Sequence, residues 1–156
     1  MKNEYNFIFT PFISESAREE LQEVFYFNAN QERYRSKIIN AITLYGKPII
    51  VIENHLITIQ LNKPNLLQQT LFIFDKENAN RLIGVLIYVK EINIINIVHL
   101  SFYNQDKYLK NQESFSIFNL TIKKFAIMLK NFKDIQYIKF QYNSMIISLD
   151  NVNTLL

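Results

Sequence analysis

The side chains best suited to proton transfer lie together on one predicted strand. His99, Ser101 and Tyr103 alternate with apolar residues, and alternate residues of a strand share one face. An imidazole with its ordinary pKa of about 6.5 can act as a base at neutral pH, and a phenol can donate a proton. The competing interpretation is structural: His99 is then a buried, hydrogen-bonded histidine of a central strand, and Tyr103 an aromatic residue at the rim of the sheet.

A second group of polar residues precedes and opens a predicted helix. The first turn of a helix has unpaired backbone N–H groups and the positive end of the helix dipole, which together favour an anion. Serine hydroxyls can bond a phosphate there, and nearby lysines add positive charge. The residues concerned are Lys107, Lys110, Asn111, Gln112, Ser114 and Ser116. The alternative interpretation is that the serines only cap the helix.

Apolar periodicity predicts the helices that position these groups. The helix after the polar loop is the best marked, because Phe118, Ile122, Phe125 and Leu129 repeat at helical spacing between residues 115 and 129. Two earlier helices are predicted at 17–28 and 34–45, the second with Gly46 as its C-terminal cap.

Strand periodicity and turn residues predict the remaining elements. The predicted strands cover residues 5–9, 49–52, 56–61, 70–75, 81–90, 94–103, 138–142 and 145–149. The strands at 81–90 and 94–103 are apolar on both faces, so we expect them at the centre of the sheet. The order is strand, two helices, several strands, helix and strand. It indicates an α+β fold with a mixed, mostly antiparallel twisted sheet flanked by helices.

Composition limits the possible chemistry. A chain of 156 residues with 49% hydrophobic residues fits one domain, residues 1–156, with a real core. The chain has no cysteine and only two histidines, which argues against disulfides, thiol nucleophiles and cysteine-based zinc sites. Its apolar runs are shorter than a membrane span and its first residues do not open a signal peptide, so we expect a cytoplasmic protein that does not enter the membrane.

Charge and motifs exclude further classes. The net charge of +3 comes from lysines and arginines scattered along the chain, which is weak support for nucleic-acid binding. Phosphate-loop, nucleophile-elbow, dinucleotide and zinc-protease motifs are missing from the sequence.

The polar loop and its helix follow two apolar segments, Arg81-Leu82-Ile83-Gly84-Val85-Leu86-Ile87-Tyr88-Val89 and Val98-His99-Leu100-Ser101-Phe102. These two segments, the loop and the helix, together with the order of elements from about residue 5 to residue 143, resemble the acyl-CoA-binding half of the GNAT N-acetyltransferase superfamily. In such proteins the strand before the loop separates from its neighbour, its backbone pairs with pantetheine, and the helix N-terminus receives the pyrophosphate. The resemblance implies a single GNAT-like domain that takes acetyl-CoA or another acyl-CoA.

The superfamily's usual general-acid tyrosine has no counterpart in this sequence, so a transfer reaction would need a substitute, and the candidates lie on the predicted central strand. His99 is expected to act as base on the attacking amine, and Tyr103 to protonate the leaving thiolate. A backbone amide near Leu100 or Phe102 is expected to stabilise the oxyanion. The residues expected to contact the acyl-CoA are Leu100, Phe102, Lys107, Lys110, Asn111, Gln112, Ser114, Ser116 and Asn143. Ser114 and Ser116 stand where the superfamily's loop has glycines.

Two functions follow as expectations. The first is an acyl-CoA-binding protein that acts as an N-acyltransferase, moving an acetyl or acyl group from CoA to an amine on a small molecule or a protein. The second is a non-catalytic module on the same scaffold that binds a protein partner. The strands before the loop and the helix after it favour the first function, whereas the missing loop glycines and the short segment after Tyr142 favour the second.

Self-association is a further expectation. The predicted strand at 138–142 would leave an exposed edge with apolar residues on one face, and such edges are usually covered. A homodimer that completes the sheet at this edge would cover it.

Overall fold

A six-stranded sheet organises the fold. The computed structural model of the protein describes residues 6–25, 35–76, 81–103, 114–141 and 145–150. The strands are β1 (Phe7–Thr10), β2 (Ile13–Ser14), β3 (Pro48–Glu53), β4 (Leu56–Leu61), β5 (Gln68–Asp75), β6 (Arg81–Glu91), β7 (Ile94–Phe102), β8 (Tyr137–Phe140) and β9 (Ile146–Ser148). The helices are α1 (Arg18–Phe25), α2 (Arg35–Tyr45) and α3 (Ser114–Leu129), with a 3-10 turn (Glu15–Ala17) leading into α1.

The six-stranded sheet has the order β1-β5-β6-β7-β8-β9. Only the β7–β8 pair is parallel, and every other neighbouring pair in this sheet is antiparallel. A parallel pair needs a crossover connection, and α3 lies in the segment between these two strands. The expected α+β class with a mixed, mostly antiparallel sheet is therefore confirmed.

A second sheet of three strands, in the order β2-β4-β3, was not expected. The hairpin predicted at 49–52 and 56–61 forms as β3 and β4, but it pairs with β2 instead of joining the large sheet. Its turn lies at Asn54 and His55, which have φ values of 50° and 62°, one residue later than the sequence suggested. Positive φ at both central residues matches the twist that hairpin strands require.

Helices and strands cover the large sheet on both faces. On one face α3 buries Ile122, Phe125 and Leu129. On the other face α1 and β4 bury Leu21 and Ile57. The strands β5, β6 and β7 are apolar on both faces because each face carries a packed layer, as expected for the strands at 81–90 and 94–103.

The predicted first and last residues of the helices agree with the structure for most helix ends. The structure has α3 at Ser114–Leu129, within one residue of the expected range. α2 ends at Tyr45 and is capped by Gly46, whose φ is +88° and whose N–H donates to the Ile42 carbonyl at 2.8 Å. A Cβ at Gly46 would lie 2.8 Å from the Asn62 backbone, so only glycine fits this cap. α1 is described to Phe25, and the predicted end at residue 28 lies outside the described residues.

The exposed edge predicted at 138–142 is wrong. β8 pairs with β7 on one side and with β9 on the other, through Tyr137↔Ser148 and Ile138↔Ile147. The last residues of the described chain fold back as an antiparallel strand and occupy the edge. An unpaired edge at this strand therefore gives no support for a homodimer.

None of the helices in the described ranges is long and apolar enough to span a membrane.

The β6–β7 turn contains a residue in an unfavourable conformation. Ile92 has a φ of +46°, and its side chain is 92% exposed. A β-branched residue at positive φ is strained, and here no burial offsets the strain. We expect Ile92→Gly to raise the free energy of unfolding by about 0.5 to 1 kcal/mol, measured by thermal or urea unfolding. Ile92→Val keeps the branched Cβ and should change nothing. Equal stability of the two variants would contradict the strain.

Candidate functional site

The parallel pair β7–β8 ends before β7 does. Its register covers Ile94↔Tyr137 to Ile97↔Phe140, and the last backbone bond runs from the Gln141 N–H to the Ile97 carbonyl at 3.1 Å. β8 ends at Phe140, whereas β7 continues to Phe102. Beyond Ile97, β7 therefore extends past the end of its parallel neighbour.

The direction of the β7 backbone follows from its pairing with β6. The Tyr103 N–H donates to the Ile83 carbonyl at 2.7 Å, and Ser101 lies opposite Val85. Since backbone groups alternate sides along an antiparallel pair, Tyr103 and Ser101 direct theirs towards β6. Leu100 directs its N–H and C=O to the opposite side, where β8 has ended.

A β-bulge lies directly after the last residue of β7 that pairs with β8. The β6–β7 register shifts between Ile87↔His99 and Tyr88↔Ile97, so Val98 is an extra residue on β7. A bulge bends its strand and increases the local twist. β7 is therefore expected to bend at the point where its pairing with β8 stops. The bulge was not predicted, because the sequence in this part of β7 is a nearly continuous apolar run.

The two faces of β7 differ beyond the bulge. Leu100 and Phe102 pack in the core under α3, together with Phe118 and Phe140, whose rings lie 5.8 Å apart. Tyr103 packs in the opposite core. Alternation therefore places His99 and Ser101 on the same face as Tyr103, as the sequence predicted. This face lies towards α1 and the small sheet, and the Leu100 face lies towards α3.

His99 is buried in a way that changes its chemistry. Its side chain is 6% exposed, and burial lowers its pKa from 6.5 to about 4. The cause is desolvation, which disfavours the charged imidazolium. His99 is therefore neutral at pH 7, but it is a much weaker base than the ordinary value of 6.5 assumed from the sequence.

Two buried hydroxyl groups lack a hydrogen-bond partner in the described structure. The Ser101 Oγ lies on the His99 face of β7, and the Thr121 Oγ1 belongs to α3. Buried hydroxyls are normally hydrogen-bonded, and leaving one unbonded costs free energy. The Ser101 hydroxyl is thus a candidate for contact with a bound molecule at the end of β7.

Tyr103 lies at the rim of the site. The Arg81 guanidinium lies over its ring, 4.0 Å from the centroid, and Arg81 also approaches the Glu23 carboxylate at 3.7 Å. This cation–π contact fixes the ring beside the end of β7. This position of Tyr103 is compatible with both interpretations from the sequence, a proton donor and an aromatic residue at the rim of the sheet.

A polar cluster at the end of the β7–β8 pairing was not predicted from the sequence. The Gln141 Nε2 donates to the Tyr45 hydroxyl at 3.2 Å and to the buried Asn96 Oδ1 at 3.4 Å. Burial, followed by the nearby charge of Glu91 and a hydrogen bond to it, raises the pKa of Tyr45 above its usual value. The cluster links α2, β6, β7 and the end of β8. The one available signal was Asn96, a polar residue within an apolar run.

The remaining sequence-predicted residues lie largely outside the described structure. Ser114 and Ser116 belong to the first turn of α3, although their side chains are not described. The predicted residues outside the described ranges are Lys107, Lys110, Asn111, Gln112 and Asn143. Of the predicted residues, the structure describes His99, Leu100, Phe102 and Tyr103 at one strand end, with the side chains of His99 and Tyr103 on the face opposite those of Leu100 and Phe102. Among the described residues, no group of three or more acidic or histidine side chains is placed to hold a metal ion.

Comparison of the chain with protein-family models, with curated proteins and with solved structures finds no match. The function therefore has to be inferred from the site.

Proposed function

We propose that this protein binds an acyl-CoA, or a related pantetheine thioester, where β8 ends beside β7, and transfers the acyl group to an amine. One observation carries the proposal: the β7 edge continues past Ile97, and the Leu100 backbone is directed to the side that β8 has left. The amides of a pantetheine arm can pair with such an edge as an added strand does. The same order of strand, loop and helix underlies the resemblance to the GNAT superfamily.

The start of α3 is the proposed site for the diphosphate. The helix has 16 residues and opens at Ser114, so its first-turn N–H groups and dipole favour an anion. Ser116 and the preceding loop residues are proposed to complete this site. The loop residues are Lys107, Lys110, Asn111 and Gln112. Asn143, which follows β8 in the sequence, is also proposed to contact the CoA.

Transfer would follow a direct addition. The amine nitrogen attacks the thioester carbonyl, a tetrahedral intermediate forms, and the C–S bond then breaks to release a thiolate. The Leu100 N–H is the proposed oxyanion donor, and Tyr103 is the proposed proton donor to the thiolate. With a pKa of about 4, His99 is better suited to accept a proton from the cationic nitrogen of the intermediate than from a protonated free amine.

The first experiment is thermal unfolding with acetyl-CoA, with longer acyl-CoAs and with adenosine 3′,5′-bisphosphate, which lacks the pantetheine arm. A ligand at about 100 times its dissociation constant stabilises a protein by about 2.7 kcal/mol. We expect a clear rise in Tm with the acyl-CoAs and a smaller one with the bisphosphate. No shift at millimolar acyl-CoA would refute the proposal.

A matched pair of variants tests the diphosphate site. Lys107→Glu combined with Lys110→Glu should weaken acyl-CoA binding at least tenfold, because two attractions to the phosphates become repulsions. Lys130→Glu combined with Lys133→Glu makes the same change in net charge on exposed residues after α3, and should have little effect. Equal losses in both double variants would point to a general charge effect and against this site.

The second candidate function is a non-catalytic module that binds a protein partner. The burial and lowered pKa of His99 favour it, since they weaken the only histidine near the site. Release of free thiol from acetyl-CoA over a panel of amines separates the two functions. Turnover that falls in Tyr103→Phe supports transfer. Acyl-CoA binding without thiol release would remove only the transfer part of the proposal, and failure to bind acyl-CoA would favour the partner-binding module.

A further inference from the structure

We propose that two copies of this chain associate through β3, whose edges opposite β4 pair antiparallel across a twofold axis. β3 is the end strand of the small sheet, and its described neighbour on one side is β4. No strand in the described ranges pairs with its other side. It carries four consecutive apolar residues, Ile49 to Ile52, of which Ile49 and Ile52 are exposed. An apolar edge of this kind is a template for another strand.

The pairing with β4 determines which backbone groups face outward. The Asn62 N–H donates to the Lys47 carbonyl at 2.9 Å, and Glu53 lies opposite Leu56 at the two-residue turn. Odd-numbered residues of β3 therefore bond to β4, and even-numbered residues direct their backbone groups to the free edge. The outward groups belong to Pro48, Ile50 and Ile52.

Antiparallel pairing centred on Ile50 suits these groups. Each Ile50 N–H would donate to the Ile50 carbonyl of the other copy, and each Ile52 N–H to the opposite Pro48 carbonyl. Pro48 has no N–H, but its missing donor faces the free edge and removes no bond to β4. Two copies would form one continuous sheet in the order β2-β4-β3-β3-β4-β2.

Charge complementarity selects this register and the second copy as the partner. With Ile50 opposite Ile50, Lys47 lies opposite Glu53 at both ends of the pair. Both side chains are exposed and share the face of Ile49 and Val51. Sliding the strands by two residues in either direction separates both ion pairs. Opposite charges facing each other across strands stabilise pairing, and like charges destabilise it.

Cysteine cross-linking tests the register directly, since the chain has no cysteine of its own. In this register residue 49 lies opposite residue 51 of the other copy in a non-hydrogen-bonded pair, where the Cα atoms approach to about 4.5 Å, within disulfide range. Ile49→Cys combined with Val51→Cys should form a disulfide-linked dimer under mild oxidation. Each single variant is the matched control and should stay largely uncross-linked. No dimer in the double variant, or equal dimer in the single variants, would overturn the proposal.

Charge reversal provides a second measurement that needs no oxidation. Lys47→Glu and Glu53→Lys should each weaken self-association at least several-fold in sedimentation or light scattering, and their combination should restore it. Lys133→Glu, which changes the charge away from the edge, should leave association unchanged. A protein that stays monomeric at all concentrations up to millimolar would overturn the proposal. The same holds if the protein is monomeric and its β3 edge pairs with a strand of another protein. Acyl-CoA binding is measured separately and does not depend on this edge.

Discussion

Lowering the pH from 7 to 4 is expected to destabilise the protein by about 3 kcal/mol through His99 alone. Burial holds the pKa of His99 at about 4 in the folded chain, against 6.5 for the ordinary side chain. Between these values the unfolded chain binds a proton that the folded chain does not. This contribution to stability is therefore complete above pH 6.5 and is lost as the pH falls towards 4.

The measurement is the difference in unfolding free energy between the wild type and His99→Phe at a series of pH values. Phenylalanine fills a similar volume and does not titrate, so the difference removes the contribution of the carboxylates. His55→Gln is the matched control, since the His55 side chain is 93% exposed and loses little contact with water on folding. A difference that stays constant from pH 7 to pH 4 would show that His99 is not held neutral in the folded protein.

The same burial limits what His99 contributes to catalysis. Its neutral form is the only form present at physiological pH, so activity that depends on it would not fall until the pH approaches 4. Turnover that instead falls with an apparent pKa of about 6.5 would point to another group. The pH profile of transfer thus separates His99 from any base that has its ordinary pKa.

The elements that the sequence predicted well are those whose signal is local. The spacing from Phe118 to Leu129 marks a helix whatever surrounds it, and Gly46 marks a helix end through its own backbone preference. The apolar residues on both faces of β6 required a layer on each side, and the structure has both. These features follow from the period and chemistry of a few adjacent residues.

The features that the sequence missed depend on distant partners. β2 has two residues, too few to show a period, and exists because Ile13 pairs with Ile57. The hydrogen bond between Gln141 and Tyr45 joins residues 96 positions apart. The bulge at Val98 lies in a run that is apolar on both faces. Such a run has no alternation of apolar and polar residues, so an extra residue does not alter its pattern. The proposed site lies directly beyond this bulge, so local pattern could suggest it only through a resemblance.

Gly84→Val is expected to lower the free energy of unfolding by about 3 kcal/mol. Gly84 lies opposite Phe102 in the β6–β7 register. A Cβ added there would lie 2.9 Å from the Phe102 Cδ1, 3.1 Å from the Ser101 carbonyl oxygen and 3.2 Å from the Ile73 Cδ1. The carbonyl belongs to the β7 backbone and cannot turn aside as a side chain can. Gly84→Ala should cost less, because it adds no methyl groups beyond the Cβ.

A double-mutant cycle identifies what the new side chain meets. If the Phe102 ring is the main obstacle, Phe102→Leu should recover part of the stability lost in Gly84→Ala, with a coupling of about 1 kcal/mol. Additive losses would instead assign the cost to the β7 backbone at Ser101. The two outcomes have different effects on acyl-CoA binding. Displacement of the Phe102 ring leaves the Leu100 backbone in place, whereas displacement of the β7 backbone moves the Leu100 backbone as well. Under the proposed function, additive losses should therefore accompany weaker acyl-CoA binding, and a strong coupling should leave binding close to that of the wild type.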